Sequence, residues 1–332
     1  MKMICYGVRE TEKQFFIDLN KKFGYDLILE PKLLTHENIT TVNGCEAVML
    51  RANCVADKQN LIKMKEAGVK YVLTRTVGVN HIDVPACREL GLKTGYVPFY
   101  SPNAVSELAL ALGMGLMRNT FYMVNKTGVN KDFTVDSFMF AQEIRNSTIG
   151  IIGTGRIGLE TAKGWHGMGA KVIGYDLYEN KGAKGIIEYK KLDELIKTSD
   201  LISIHCPYIA GENEHMINKD FISKMKPNSF IVNASRGELL DPVALYEAIK
   251  SNHIKGAALD VVEKEPQIFF KTFGNDKLPI EAYEKLHQFY PRVVITPHIG
   301  SFTDEAVKNM VETTYLNLQE YLKTGQCKNE IK

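Results

Sequence analysis

Three residues of complementary type stand just beyond apolar runs that read as buried strands. Arg236 follows Ile231-Val232-Asn233-Ala234-Ser235, Glu265 follows Ala257-Ala258-Leu259-Asp260-Val261-Val262-Glu263-Lys264, and His298 follows Val293-Val294-Ile295-Thr296-Pro297. In an open parallel sheet the carboxyl ends of the strands face the ligand crevice, so side chains placed there can converge. An arginine fork holds a carboxylate through two parallel bonds. An imidazole exchanges a proton with an oxygen near neutral pH, and a carboxylate beside it fixes its tautomer and favours the imidazolium. The trio suits anchoring of an organic acid and protonation of its carbonyl oxygen. Taken singly, each has a structural alternative: a capping histidine, a surface glutamate, a structural arginine. Only their joint placement argues for chemistry.

A second constellation is Gly153-Thr154-Gly155-Arg156-Ile157-Gly158, directly after the apolar run Thr148-Ile149-Gly150-Ile151-Ile152. Gly153 permits a tight turn, Gly155 lets the backbone approach a pyrophosphate, and Gly158 lets helix and strand pack closely. The helix that follows aims its first amides at the phosphates. An acid closes the next strand at Asp176, about 20 residues on, where ribose hydroxyls are held in this motif. Asp176 would repel a 2′-phosphate, and no arginine follows it in Tyr175-Asp176-Leu177-Tyr178-Glu179. The expected cofactor is therefore NAD rather than NADP.

The elements that must position these groups alternate along the chain. Over residues 1–100, Met3 to Val8, Ala47 to Leu50 and Tyr71 to Thr74 read as strands, with amphipathic helices at Glu10 to Phe23 and Lys58 to Ala67. Such alternation predicts a parallel sheet covered by helices. A long helix starts at Ser101-Pro102-Asn103-Ala104 and runs to about Arg118, with Ser101 as N-cap and Pro102 at the first helical position. Residues 119–144 lack clear periodicity and read as an extended arm or an oligomer contact.

From Thr148 a second alternating series gives strands at Thr148 to Gly153, Lys171 to Tyr175, Leu201 to His205, Ser229 to Asn233, Gly256 to Asp260 and Val293 to Thr296. Helices fill the gaps at Gly158 to Met168, Asp241 to Ser251 and Asp304 to Thr324. Six strands with intervening helices is the pattern of a doubly wound dinucleotide-binding domain. The expected division is a substrate domain at 1–100, a nucleotide-binding domain at 101–299, and a C-terminal helix at 300–332 that returns to the first domain.

Bulk properties narrow the partners. The 332 residues are too many for one compact core. Forty-five per cent apolar and 24% charged residues match an ordinary globular protein. A net charge of +2, from 41 basic and 39 acidic side chains, argues against nucleic acid or an anionic membrane surface as the main partner. No run approaches the roughly 20 apolar residues of a membrane span, and the first residues lack the pattern of a signal peptide. Six cysteines without a C-x-x-C pair read as buried reduced thiols. A soluble, cytoplasmic protein is expected. Eight dispersed histidines with no H-E-x-x-H spacing give no metal site.

Taken together these motifs resemble the D-2-hydroxyacid dehydrogenase family over essentially the whole chain. The resemblance runs through Arg75-Thr76-Val77-Gly78-Val79-Asn80-His81-Ile82-Asp83, Val97-Pro98-Phe99-Tyr100-Ser101-Pro102-Asn103-Ala104, the glycine loop, Asn233-Ala234-Ser235-Arg236-Gly237, Asp260-Val261-Val262-Glu263-Lys264-Glu265-Pro266 and Thr296-Pro297-His298-Ile299-Gly300. It implies an α/β fold of two domains, a Rossmann-type doubly wound parallel sheet inserted in a flavodoxin-like substrate domain. It implies an NAD-dependent enzyme that reduces a 2-oxo acid to the (R)-2-hydroxy acid, with Arg236 as substrate anchor, Glu265 as the partner of the histidine and His298 as acid/base. It further implies that the amides of Val77 and Gly78 bind the substrate carboxylate and that Tyr100 lines the pocket. Asp260 would reach the nicotinamide amide, while His205-Cys206-Pro207 and Ala234-Ser235 run beside the cofactor. A homodimer formed through the nucleotide-binding domain is the implied assembly.

Within the family, Leu50-Arg51-Ala52-Asn53-Cys54, Arg145-Asn146 and the run from Pro297 to Ala306 are most similar to enzymes acting on (R)-2-hydroxyglutarate and D-lactate. Arg51 directly follows a predicted strand, where a guanidinium could hold a second carboxylate. Ser301, three residues after His298, replaces a bulky aromatic of lactate-type relatives and leaves room for a longer substrate. The sequence thus points to 2-oxoglutarate. The alternatives are a D-lactate or a branched-chain or aromatic substrate, and, in another class, an NAD(H)-responsive binding protein without turnover. A structural role for Arg51 also stays open.

Overall fold

The computed structural model describes all residues from Met1 to Lys332, which form two compact units. The first comprises Met1–Ser101 and Phe302–Lys332, the second Pro102–Ser301. No helix is long and apolar enough to cross a membrane.

The first unit holds a parallel sheet of β1 (Lys2–Tyr6), β2 (Asp26–Glu30), β3 (Ala47–Leu50), β4 (Tyr71–Thr74) and β5 (Lys93–Gly95), in the order β2-β1-β3-β4-β5. Three of these carry the strong signal. Almost every residue of β1, β3 and β4 is buried, as in a sheet covered on both faces. The two edge strands lie outside the sequence pattern. β2 is only half-buried and has an acid at each end, and β5 is three residues long. Edge strands have fewer neighbours, so less apolar patterning marks them. Helices α1 (Lys13–Phe23), α2 (Lys58–Glu66) and α3 (Val84–Glu89) connect the strands. A single 3₁₀ turn, Glu10–Glu12, occupies the first residues of the expected longer first helix.

The second unit begins with α4 (Pro102–Met117) and α5 (Thr120–Asn130). Helix α5 lies within the segment 119–144, for which the sequence shows no clear periodicity. None of its residues is buried, so it lacks the apolar stripe that marks a core-facing helix. The sheet contains β6 (Thr148–Ile152), β7 (Lys171–Tyr175), β8 (Glu188–Tyr189), β9 (Leu201–Ile204), β10 (Ser229–Asn233), β11 (Ile254–Leu259) and β12 (Val293–Ile295). Its order is β12-β11-β10-β9-β6-β7-β8, all parallel, so there are seven strands rather than six. The extra one, β8, is a two-residue edge. Helices α6 (Arg156–Gly167), α7 (Leu192–Thr198), α8 (Lys219–Ser223), α9 (Pro242–Lys250) and α10 (Glu281–His287) cover its faces. Helix α4 approaches α6 closely because Gly113 has no side chain; a Cβ there would lie 2.7 Å from the Trp165 ring.

The chain then re-enters the first unit through α11 (Asp304–Thr324), capped by the Thr303 hydroxyl and ended by Gly325 at φ 75°. Tyr315 of this helix meets the rings of Phe16, Phe23 and Tyr25. Tyr321 Oη donates to the Thr94 carbonyl at 2.7 Å. Beneath the turn after β1, buried Glu12 and Arg75 pair at 2.9 Å, and Arg75 also donates to the Gly7 carbonyl.

Candidate active site

In the second unit the candidate residues lie at or just past the carboxyl ends of strands. The turn from β6 into α6 is built by glycine. Gly153 has φ +87°, and a Cβ there would stand 2.3 Å from the Cys206 nitrogen. On Gly158 it would stand 1.9 Å from the Gly153 carbonyl oxygen. Both positions exclude any side chain. A Cβ on Gly155 would meet nothing within 4 Å. This leaves an open face at the α6 N-terminus, begun by Arg156 and Ile157, and a helix N-terminus suits a pyrophosphate.

Asp176, after β7, is tied to the same loop. Its Oδ2 accepts from the Thr154 amide at 2.6 Å and the Thr154 hydroxyl at 3.2 Å. Tyr189 Oη donates to Thr154 Oγ1 at 2.8 Å, a brace with no local sequence signal because 35 residues separate the two. Glycine turn, helix terminus and carboxylate together fit an NAD. Beyond β9, His205 is half-buried with Nε2 2.8 Å from the Ser203 hydroxyl, and desolvation of the ring pushes its pKa down to about 4, so it is neutral. The Ser235 hydroxyl donates to the Cys206 carbonyl at 2.6 Å. Pro207 accepts from Asn213 Nδ2, and Ala234 is half-buried at the end of β10.

His298 and Glu265 are in direct contact. The imidazole Nδ1 lies 2.8 Å from the Glu265 carboxylate, leaving Nε2 as the outward nitrogen. Two residues with left-handed backbone shape this meeting: Lys264 at φ 54° and His298 at φ 52°. Such conformations cost energy and persist where surrounding bonds enforce them. The enforcing group is Asp260. Its buried carboxylate accepts from the Thr296 hydroxyl at 2.6 Å and from the amides of Ile299 and Gly300 at 2.9 and 2.8 Å. Burial pushes the Asp260 carboxyl above the usual range, while these three donors pull it back. Asp260 thus braces the His298 loop from both sides, a task not legible in the sequence.

Arg236 is exposed, its guanidinium resting on the Ser235 carbonyl at 2.7 Å. Its turn packs backbone to backbone against the loop that leads to Glu265. A Cβ on Gly237 would lie 2.1 Å from the Val262 carbonyl carbon. That loop is also held by Tyr283 Oη, which accepts from the Glu263 amide at 2.8 Å, and by the contact of His215 with Glu263. Gly237, His215 and Tyr283 are supports that sequence reasoning missed. Ser301 is half-buried at the end of this unit.

In the first unit the candidates again follow strand ends. Arg51 comes directly after β3, and its stem packs beside Gly7, where a Cβ would approach Arg51 Cδ to 3.1 Å. Val77 and Gly78 form the turn beyond β4, with Val77 exposed. Tyr100 follows β5 and is half-buried.

Comparison with known proteins adds independent findings. A model of the NAD binding domain of D-isomer specific 2-hydroxyacid dehydrogenases matches residues 110–300. An aromatic 2-oxoacid reductase of Clostridium sporogenes is 43% identical over 331 residues, 99% of either chain. A D-2-hydroxyacid dehydrogenase (NAD(+)) of Clostridioides difficile is 35% identical over 334 residues, covering 100% of this chain and 99% of the relative. Among solved structures, a D-lactate dehydrogenase of Treponema pallidum superposes with a TM-score of 0.91 at 32% identity, and each chain is fully covered. The NAD complexed form of a D-isomer specific 2-hydroxyacid dehydrogenase from Lactobacillus delbrueckii ssp. bulgaricus gives 0.88 at 31% identity, again over both whole chains.

Proposed function

The chain belongs to the D-isomer specific 2-hydroxyacid dehydrogenase family, NAD-dependent oxidoreductases of 2-hydroxy acids, and from that premise we propose that Arg236, Glu265 and His298 reduce 2-oxoglutarate to (R)-2-hydroxyglutarate. The observation that carries the chemistry is the contact of His298 with Glu265. With Nδ1–H donated to a carboxylate, Nε2 is the nitrogen that gives a proton. NADH, when bound, supplies the hydride. His298 then delivers its proton to the carbonyl oxygen, which becomes the hydroxyl, and the imidazole is left neutral beside Glu265. Arg236 holds the substrate carboxylate and polarises the carbonyl. The amides of Val77 and Gly78 receive the same carboxylate, and Tyr100 lines the substrate's surroundings. Asp260 serves the nicotinamide amide in addition to bracing the His298 loop.

The dicarboxylate reading rests on Arg51 at the end of β3, suited to a distal carboxylate, and on the small side chain of Ser301. A second reading is an aromatic 2-oxo acid, favoured by the 43% identical reductase. Oxidation of NADH by purified protein, with 2-oxoglutarate, phenylpyruvate, 2-oxoisocaproate and pyruvate side by side, separates the two. Preference for 2-oxoglutarate supports the first reading, and preference for phenylpyruvate replaces it with the second. NADH binding without turnover on any of them would mark a sensor.

The proposed assembly is a homodimer, supported by exposed apolar side chains on and after α5: Val124, Val129, Phe133, Val135 and Phe140. Light scattering on the eluting protein tests it; a monomer mass would refute it. The six free thiols, five of them buried, suit a cytoplasmic location.

A further inference from the structure

We propose that His81, Thr74 and Thr76 form a one-way hydrogen-bond relay that positions the Val77–Gly78 turn to receive the substrate carboxylate, an inference that rests on the function proposed above. The direction follows from counting protons. Thr76 Oγ1 lies 2.6 Å from the Gly78 carbonyl oxygen, which can only accept, so the single Thr76 hydroxyl proton is committed there. Thr76 Oγ1 lies 2.7 Å from Thr74 Oγ1 and must therefore accept from it. The Thr74 proton is then also spent, and the Leu50 carbonyl, at 3.3 Å, is the poorer alternative acceptor. The remaining contact, His81 Nε2 to Thr74 Oγ1 at 3.0 Å, has to run from ring to hydroxyl.

The ring can be that donor at all working pH values. Burial pushes the His81 pKa down to about 4, so it is neutral with one proton, and the relay assigns that proton to Nε2. The histidine is itself anchored, since its carbonyl accepts from the Ala56 amide at 3.1 Å. At the other end, the relay draws the Gly78 carbonyl inward. A trans peptide carries its N–H opposite its C=O, so the Val79 N–H is turned away from the relay. The amides of Val77 and Gly78 donate to no backbone carbonyl. The turn thus keeps its acceptor occupied and its donors available, the arrangement an anion needs. These three residues act through the turn and are positioning residues.

The test uses wild-type protein beside Thr76→Val, Thr76→Ser and His81→Leu. It reads kcat and KM on the best 2-oxo acid, the Kd for NADH by fluorescence, and the melting temperature. Thr76→Val and His81→Leu are expected to raise KM about tenfold with kcat within about twofold, the pattern of lost ground-state and transition-state binding together. NADH affinity should be unchanged, and Thr76→Ser should restore the wild-type KM. A folded, active Thr76→Val enzyme with unaltered KM would overturn the relay, as would a Thr76→Ser enzyme as impaired as the valine variant. Loss of folding confined to Thr76→Val leaves His81→Leu to decide: unaltered KM in a folded His81→Leu enzyme would overturn the relay, and a raised KM with unchanged NADH affinity would support it. Absence of turnover by the wild type on every 2-oxo acid is a distinct result: it overturns the function and, with it, this role for the relay.

Discussion

His298 Nδ1 and Glu265 Oε2 lie 2.8 Å apart, although 33 residues separate them along the chain. Glu265 leaves β11 through the left-handed Lys264, and His298 leaves the neighbouring β12 in a left-handed conformation of its own. Two adjacent parallel strands thus deliver an acid and an imidazole to the same edge. The carboxylate then determines which imidazole nitrogen faces outward.

That pairing makes Glu265→Gln informative. The amide keeps the shape but does not stabilise an imidazolium, so kcat should fall about 100-fold, with a larger loss for His298→Gln. NADH affinity should stay at the wild-type value in both. Full kcat in Glu265→Gln would remove the glutamate from the mechanism.

Arg51→Ala separates the two substrate readings. Loss of a charge-assisted fork should lower kcat/KM on 2-oxoglutarate about 100-fold while monocarboxylic 2-oxo acids change less than about threefold. Equal losses on both classes would return Arg51 to a structural role.

Asp176→Ser bears on cofactor choice. Removing the carboxylate removes its repulsion of a 2′-phosphate, so the NADH-over-NADPH affinity ratio should fall at least about tenfold. The Thr154 amide also loses its acceptor, and the melting temperature should fall with it. An unaltered affinity ratio would show that discrimination lies elsewhere.

Gly237→Ala tests the join between the Arg236 turn and the Glu265 loop. A methyl group cannot stand 2.1 Å from the Val262 carbonyl carbon, so one loop must move, at a cost of about 3 kcal/mol. Lower thermal stability together with lower kcat is expected. An alanine variant with wild-type melting and turnover would contradict the close approach.

Acid should weaken both units. His81 and His205 have folded pKa values lowered by burial to about 4, against 6.5 for the free side chain. A lowered folded value means that the unfolded chain binds the proton more readily. The stability these rings contribute is therefore fully present above about pH 6.5 and is lost as pH falls through about 4, by up to about 3 kcal/mol each. Urea unfolding at pH 7.5 and pH 5 measures this, and His205→Gln should reduce the difference. An identical pH dependence in that variant would rule out the His205 contribution.

The glycine loop, Asp176 and the central strands of both sheets were legible because each depends on neighbours along the chain: turn glycines, a capped helix, runs of residues buried on both faces. The placement of Arg236, Glu265 and His298 beyond strand ends followed from the same pattern. The edge strands β2, β5 and β8 and the exposed helix α5 leave little trace in the sequence, since half-buried or solvent-facing residues carry weak periodicity. Tertiary structure alone decided that Asp260 clamps the His298 loop, that Gly237 lies against Val262 and that Tyr189 braces Thr154. These contacts depend on strand order, register and backbone direction, which bring residues from different loops within hydrogen-bond reach, and no local run of side chains encodes those distances.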